Sequence, residues 1–142
     1  MIVIDFEQEL IPVEHKISPK RLALLSEKCS MEIGGITGTV AARGVSVAEI
    51  KRLNRIYRGH DVETDVLSFQ YDQVGGLLGD IVISFEQAKR QADGDIELEL
   101  IDLLTHGVLH VCGFDHEQAQ DARVMLPLQD LIVTYVFSKS IF

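Results

Sequence analysis

Apolar residues fall into short strand-like runs and longer stretches at helical spacing, separated by Gly, Pro and Ser positions that start or stop each element. Ile2 to Phe6 reads as a short strand. Ser18-Pro19 is a helix entry, with Leu22, Leu25 and Cys29 following at helical spacing until Gly34-Gly35. Thr37 to Ala42 forms a second, weakly patterned strand. Ser46-Val47-Ala48-Glu49 is a capping box, and Val47, Ile50, Leu53, Ile56 and Tyr57 give its helix a buried stripe that ends at Gly59. Lys51, Arg52, Arg55 and Arg58 fall mostly off that stripe, toward solvent or a cleft.

Val66 to Tyr71 and Gly79 to Ile83 are strand-like and flank the turn residues Gly75-Gly76, which predicts a hairpin. Ser84-Phe85-Glu86-Gln87 is a second capping box, opening a short helix that ends near Gly94. From Asp95 a helix begins with an acidic first turn, favourable to its dipole. Its continuation through Leu100, Ile101, Leu104, Val108 and Val111 is apolar on nearly all sides, so this helix is predicted to lie buried in the middle of the domain. A last helix spans Gln118 to Phe137, and Pro127 inside it is expected to kink or split it. Strands and helices mix without a clean βαβ alternation. The expected class is α+β, a small mixed sheet with helices around one buried central helix.

The chemistry concentrates on that buried helix and the turn behind it. His106 and His110 are four apart and share one helix face, Gly113 is placed to end the helix in a left-handed cap, and His116 returns from the turn. Three imidazoles converging this way suit one divalent ion, zinc first among candidates with nickel, copper or iron also accepted, and leave a coordination position open. An open position marks a catalytic site. Zinc proteases of the pattern H-E-x-x-H share the spacing but need glutamate after the first histidine; here Gly107 stands there, which argues against peptide hydrolysis. Asp115 either orients a ligand histidine or caps the turn, and Asp61 and Asp65 either order Arg58 or serve as turn and strand-start residues. His15 and His60 are expected to be exposed and unliganded, and Cys112 to be a core thiol facing away from the ion.

At 142 residues and 46% hydrophobic content, the chain is expected to form one domain over 1–142 with a substantial core. No stretch reads as a signal peptide or a membrane span, and two cysteines without an export signal point to free thiols in the cytoplasm. The net charge of −9 argues against indiscriminate nucleic-acid binding, and no DNA partner is expected. The charge is unevenly spread: Arg43, Lys51, Arg52, Arg55 and Arg58 gather in one stretch, and Asp93, Asp95, Glu97, Glu99 and Asp102 in another. The basic stretch could grip a phosphate backbone or form a solvated helix face.

Three segments carry a family likeness. His106-Gly107-Val108-Leu109-His110-Val111-Cys112-Gly113-Phe114-Asp115-His116 follows the pattern H-G-x-L-H-L-x-G-x-D-H with one Leu-to-Val exchange. Leu53-Asn54-Arg55-Ile56-Tyr57-Arg58-Gly59-His60-Asp61, continuing through Thr64-Asp65-Val66-Leu67-Ser68-Phe69, follows a second, and Gly79-Asp80-Ile81 a third. In these segments the chain resembles the YbeY family of bacterial metal-dependent endoribonucleases, from about Val45 to His116. The resemblance implies His106, His110 and His116 as metal ligands and Arg58 as a functional arginine beside the ion. It further implies a single-strand-specific endoribonuclease active in 16S ribosomal RNA 3′-end maturation and ribosome quality control. Its partners would be ribosomal RNA, the small ribosomal subunit and ribosome-assembly proteins. Arg58 can clamp two phosphate oxygens at once, and His110 joins it as a catalytic candidate. The chain departs from the family where it has Glu63 and Gln70 in place of proline and, four residues after Met125, Gln129 in place of an acid. Two other classes stay open: a metal hydrolase of another substrate, and a ribosome-assembly factor whose metal is structural.

Overall fold

A computed structural model of the chain describes residues 1–140, apart from the side chains of residues 73 and 74. The elements run β1 (Ile2–Glu7), α1 (Pro19–Glu32), β2 (Gly38–Val45), α2 (Val47–Arg58), β3 (Val66–Val74), β4 (Leu77–Ser84), α3 (Phe85–Gln91), α4 (Ile96–Val111) and α5 (Ala119–Lys139), with a 3-10 turn at Val13–His15. The four strands form one mixed sheet in the order β1-β2-β4-β3. β2 pairs in parallel with both β1 and β4, and β3 closes the sheet as the antiparallel arm of the expected hairpin, Phe69 opposite Asp80. The α+β class is borne out, although β1, α1 and β2 make one parallel crossover unit within it.

Alternation along β1 turns Ile2, Ile4 and Phe6 inward and leaves the intervening residues exposed. The main core lies on that inner face, under α1, α4 and α5, where Leu25, Ile81, Ile83, Leu104, Met125 and Ile132 are fully or almost fully buried. A smaller cluster on the other face joins Ile50 and Leu53 of α2 to Val45, Leu67 and Val82. Helix α2 covers only part of this face. The stripe expected to bury Ile56 and Tyr57 therefore stops short: they are 53% and 64% exposed.

Local capping agrees with the sequence. Ser18, Ser46, Ser84 and Asp95 each accept a hydrogen bond from the backbone N–H three residues on. Helix α3 ends at Gln91 rather than near Gly94, with the Ala92 N–H bonded to the Ala88 carbonyl. Pro127 does not split the last helix, which continues to Lys139. The proline lies on the solvent side, as does Arg123, so the carbonyl that loses its N–H partner there faces water.

The sheet edges are tied down by side chains. Ser26 and Ser30 of α1 accept hydrogen bonds from the backbone N–H groups of Ile4 (3.2 Å) and Ile2 (2.8 Å), occupying the outer edge of β1. On the opposite edge, Arg58 Nη2 donates to the Ser68 carbonyl of β3 at 2.6 Å.

Helix α4 approaches the sheet closely. A methyl group on Gly107 would come within 2.8 Å of Ile81 Cδ1, inside the contact distance of real side chains. Gly107→Ala is expected to destabilise the fold by about 1–3 kcal/mol through overpacking, despite its gain in helix propensity. A urea midpoint unchanged from the parent would contradict this packing account.

Candidate metal centre

Helix α4 positions two of the three histidines, and its end positions the third. Gly113 takes φ +100°. Its N–H bonds the His110 carbonyl at 3.0 Å while the Phe114 N–H bonds the Leu109 carbonyl at 2.9 Å, the paired bonds of a Schellman cap. Phe114 tucks against the core, and the chain turns back to deliver His116. Asp115 is a capping residue: its carboxylate accepts the N–H groups of His116 (2.7 Å) and Glu117 (3.3 Å). Those bonds hold its carboxyl below the usual aspartate range. The alternative, a carboxylate orienting a ligand ring, does not describe Asp115.

The rings of His106, His110 and His116 converge, with centroids 4.6 to 5.1 Å apart, and one nitrogen from each lies within 4.8 Å of the others. His106 Nε2 and His110 Nε2 are 3.1 Å apart. Two nitrogens bound to one tetrahedral zinc through arms of about 2.0–2.1 Å would be separated by about 3.3 Å. The donor set fits a divalent ion.

Neighbouring groups fix which ring nitrogen is free. The Gln129 amide nitrogen donates to Asp102 Oδ1 at 2.9 Å, which turns Gln129 Oε1 toward His106 Nδ1, also at 2.9 Å. His106 Nδ1 therefore carries the proton and Nε2 the lone pair. His110 turns its Nε2 toward His106 Nε2. The His106 lone pair thus points at the His110 ring nitrogen 3.1 Å away, and a divalent ion between them would take a lone pair from each. Sequence reasoning missed Asp102 and Gln129; the only trace was that Gln129 stands where the resembled family carries an acid.

His106 and His110 open onto a cavity of about 390 Å³, whose lining also includes Arg58, His60, Asn54 and Asp65. His60 is exposed as expected, yet it belongs to this lining, whereas His15 is half-buried against Phe85. Asp65 does not order Arg58. It accepts the Val66 N–H at 2.7 Å and the Gln91 side-chain amide at 3.0 Å, a strand-start role. Arg58 is held by the Ser68 carbonyl and stands 5.7 Å over the Phe69 ring. Cys112 is half-buried, and burial pushes its thiol up to about 11, so it stays protonated. The acidic stretch is largely spent on structure: Asp95 caps α4, Glu97 pairs with Arg21, Glu99 binds Gln91 and Asp102 binds Gln129.

Burial and the two neighbouring imidazoles push the His110 pKa below its ordinary value. Below about pH 6.5 the unfolded chain takes up that proton before the folded chain does, so stability falls as pH drops through this window. The urea midpoint of metal-free protein is expected to decrease from pH 7 to pH 5, and less steeply in His110→Gln. Parallel slopes in the two proteins would remove His110 as the source.

Comparisons with known proteins cover more of the chain than the three segments do. The family model described as Endoribonuclease YbeY matches residues 4–136. Endoribonuclease YbeY of Sulfurihydrogenibium sp. is 38% identical, the match covering 82% of each chain. That of Alkaliphilus metalliredigens is 36% identical over 94% of this chain and 93% of its own. A Thermotoga maritima protein solved in solution superposes with a TM-score of 0.59 at 32% identity, covering 98% of this chain and 91% of that one. With its histidine cluster in place and the match running almost from end to end, the chain belongs to the YbeY endoribonuclease family.

Proposed function

We propose that this chain is a metal-dependent endoribonuclease that cuts single-stranded RNA. Its substrate is ribosomal RNA, cut in 16S 3′-end maturation and quality control of the small ribosomal subunit in the cytoplasm. The reading takes 1–142 as one catalytic domain. It assigns His106, His110 and His116 as ligands of one divalent ion, zinc before nickel, and Arg58 and His110 as catalytic residues. The observation that carries it is the shared cavity, which joins two facing imidazole nitrogens to an arginine.

An ion at the three imidazoles would polarise a phosphoryl oxygen and lower the pKa of bound water. The chain's own residues do the rest. One N–H of Arg58 is anchored on the Ser68 carbonyl, which holds the planar guanidinium in place while its remaining donors take phosphate oxygens and offset the charge that builds during cleavage. Gln129 keeps the His106 lone pair turned to the site. Gly107 offers no side chain to the cavity it lines, so the glutamate that serves peptide hydrolysis has no counterpart there.

Purified protein incubated with single-stranded ribosomal RNA is expected to cleave it, and prior chelation to abolish cleavage. His110→Ala and Arg58→Ala should each lower the rate by about 100-fold or more, with thermal unfolding of both variants checking that the fold survives. Equal cleavage in all samples would point to a contaminant and leave the enzymatic reading without support. Gln129→Leu is expected to weaken zinc binding by about 10- to 100-fold, read by competition with a chromophoric chelator. Unchanged zinc affinity would deny Gln129 a positioning role.

A further inference from the structure

The sheet face that α2 leaves partly open carries a second and larger cavity, of about 670 Å³, beside the histidine cavity. Its lining includes Tyr57, Phe69 and Tyr71 with Arg43, Arg58 and Asp80, and Arg58 and Ser68 line both cavities. Tyr57 meets Phe69 edge-on, centroids 5.3 Å apart, and remains largely exposed although it sits on the apolar side of an amphipathic helix. Tyr71, also exposed, donates its hydroxyl hydrogen bond to Asp80.

Charge is graded along this surface. Arg58, His106 and His110 lie at one end; Asp80 lies at the other, with Asp5 and Glu7 beyond it around Arg43. A phosphate is attracted to the first end and repelled from the second. A neutral group with N–H donors and a flat apolar face suits the second, because the rings offer stacking surfaces and the Asp80 carboxylate accepts hydrogen bonds. The volume falls within the range of about 300–1,000 Å³ typical of sites for small-molecule-sized groups.

We infer that this aromatic cavity is a subsite for one unpaired nucleobase flanking the phosphate held at Arg58. The inference rests on the endoribonuclease reading and deepens it. A base inside a duplex is stacked and paired and cannot enter, so the subsite makes the protein select single-stranded RNA at the ground-state binding step. Stacking tolerates every base, which leaves sequence preference weak.

The test is fluorescence anisotropy at fixed salt with metal-free protein, which prevents cleavage, using a labelled RNA hexanucleotide and an abasic chain with the same phosphates. Tyr57→Ala and Tyr71→Ala are expected to weaken RNA binding by about 5- to 100-fold and to leave abasic-chain binding unchanged. Tyr71→Phe, which keeps the ring and releases Asp80, should retain parental RNA affinity. Alanine variants that bind RNA as the parent does, or that lose equal affinity for both probes, would overturn the subsite. If the metal-loaded parent cleaves RNA in a parallel assay, only the subsite falls. A parent that does not bind RNA metal-free and does not cleave it when metal-loaded removes the endoribonuclease reading and the subsite together.

Discussion

The structure depends on how closely α4 lies on the sheet. Gly107 packs its bare backbone against Ile81, and the next turn of the helix meets β4 at Gly79, where a side chain would collide with Val111. This contact fixes the helix in rotation as well as distance. With Gly107 turned to the sheet, its neighbours His106 and, one turn on, His110 stand half-buried at the border between core and cavity, facing each other through Nε2 while His106 bonds Gln129 with its other nitrogen. Burial of Leu100, Ile101, Leu104 and Val108 around the same helix then holds two polar rings in a stiff apolar frame. A looser seating would let the rings find other partners.

Stiffness is divided unequally among the three histidines. His106 is oriented through side chains that the core fixes: Gln129 is buried on α5 and tied to Asp102 on α4, so two helices must be docked before His106 takes its orientation. His116 depends on a turn held by backbone hydrogen bonds and the Asp115 cap. The protein thus builds two members of the cluster into its core and leaves the third to local chain geometry, where solvent has access.

Much of this was legible in the residues. The helix of the histidines, its glycine stop and the return of His116 follow from spacing, because 3.6 residues per turn and a left-handed glycine leave few alternatives. The hairpin and the serine caps were readable for the same reason: each is decided within a few residues. What escaped depends on contacts distant in sequence. The exposure of Ile56 and Tyr57 reflects how far α2 extends over the sheet, which no period in α2 encodes. Gln129 sits 23 residues from His106, and a lone glutamine in a helix carries no signal of its partner. Pro127 was expected to disrupt its helix, and only the solvent exposure of that side explains why the helix runs on.

The two outer strands illustrate how a small sheet handles its borders. β1 is closed by hydroxyls that belong wholly to the scaffold, whereas the Ser68 carbonyl on β3 is covered by Arg58, a residue with other business in the cavity. An uncovered strand border invites pairing with another chain. Beside the role proposed for it in the cavity, Arg58 thus also belongs to the sheet, because its guanidinium occupies an acceptor on this border that another strand would otherwise meet.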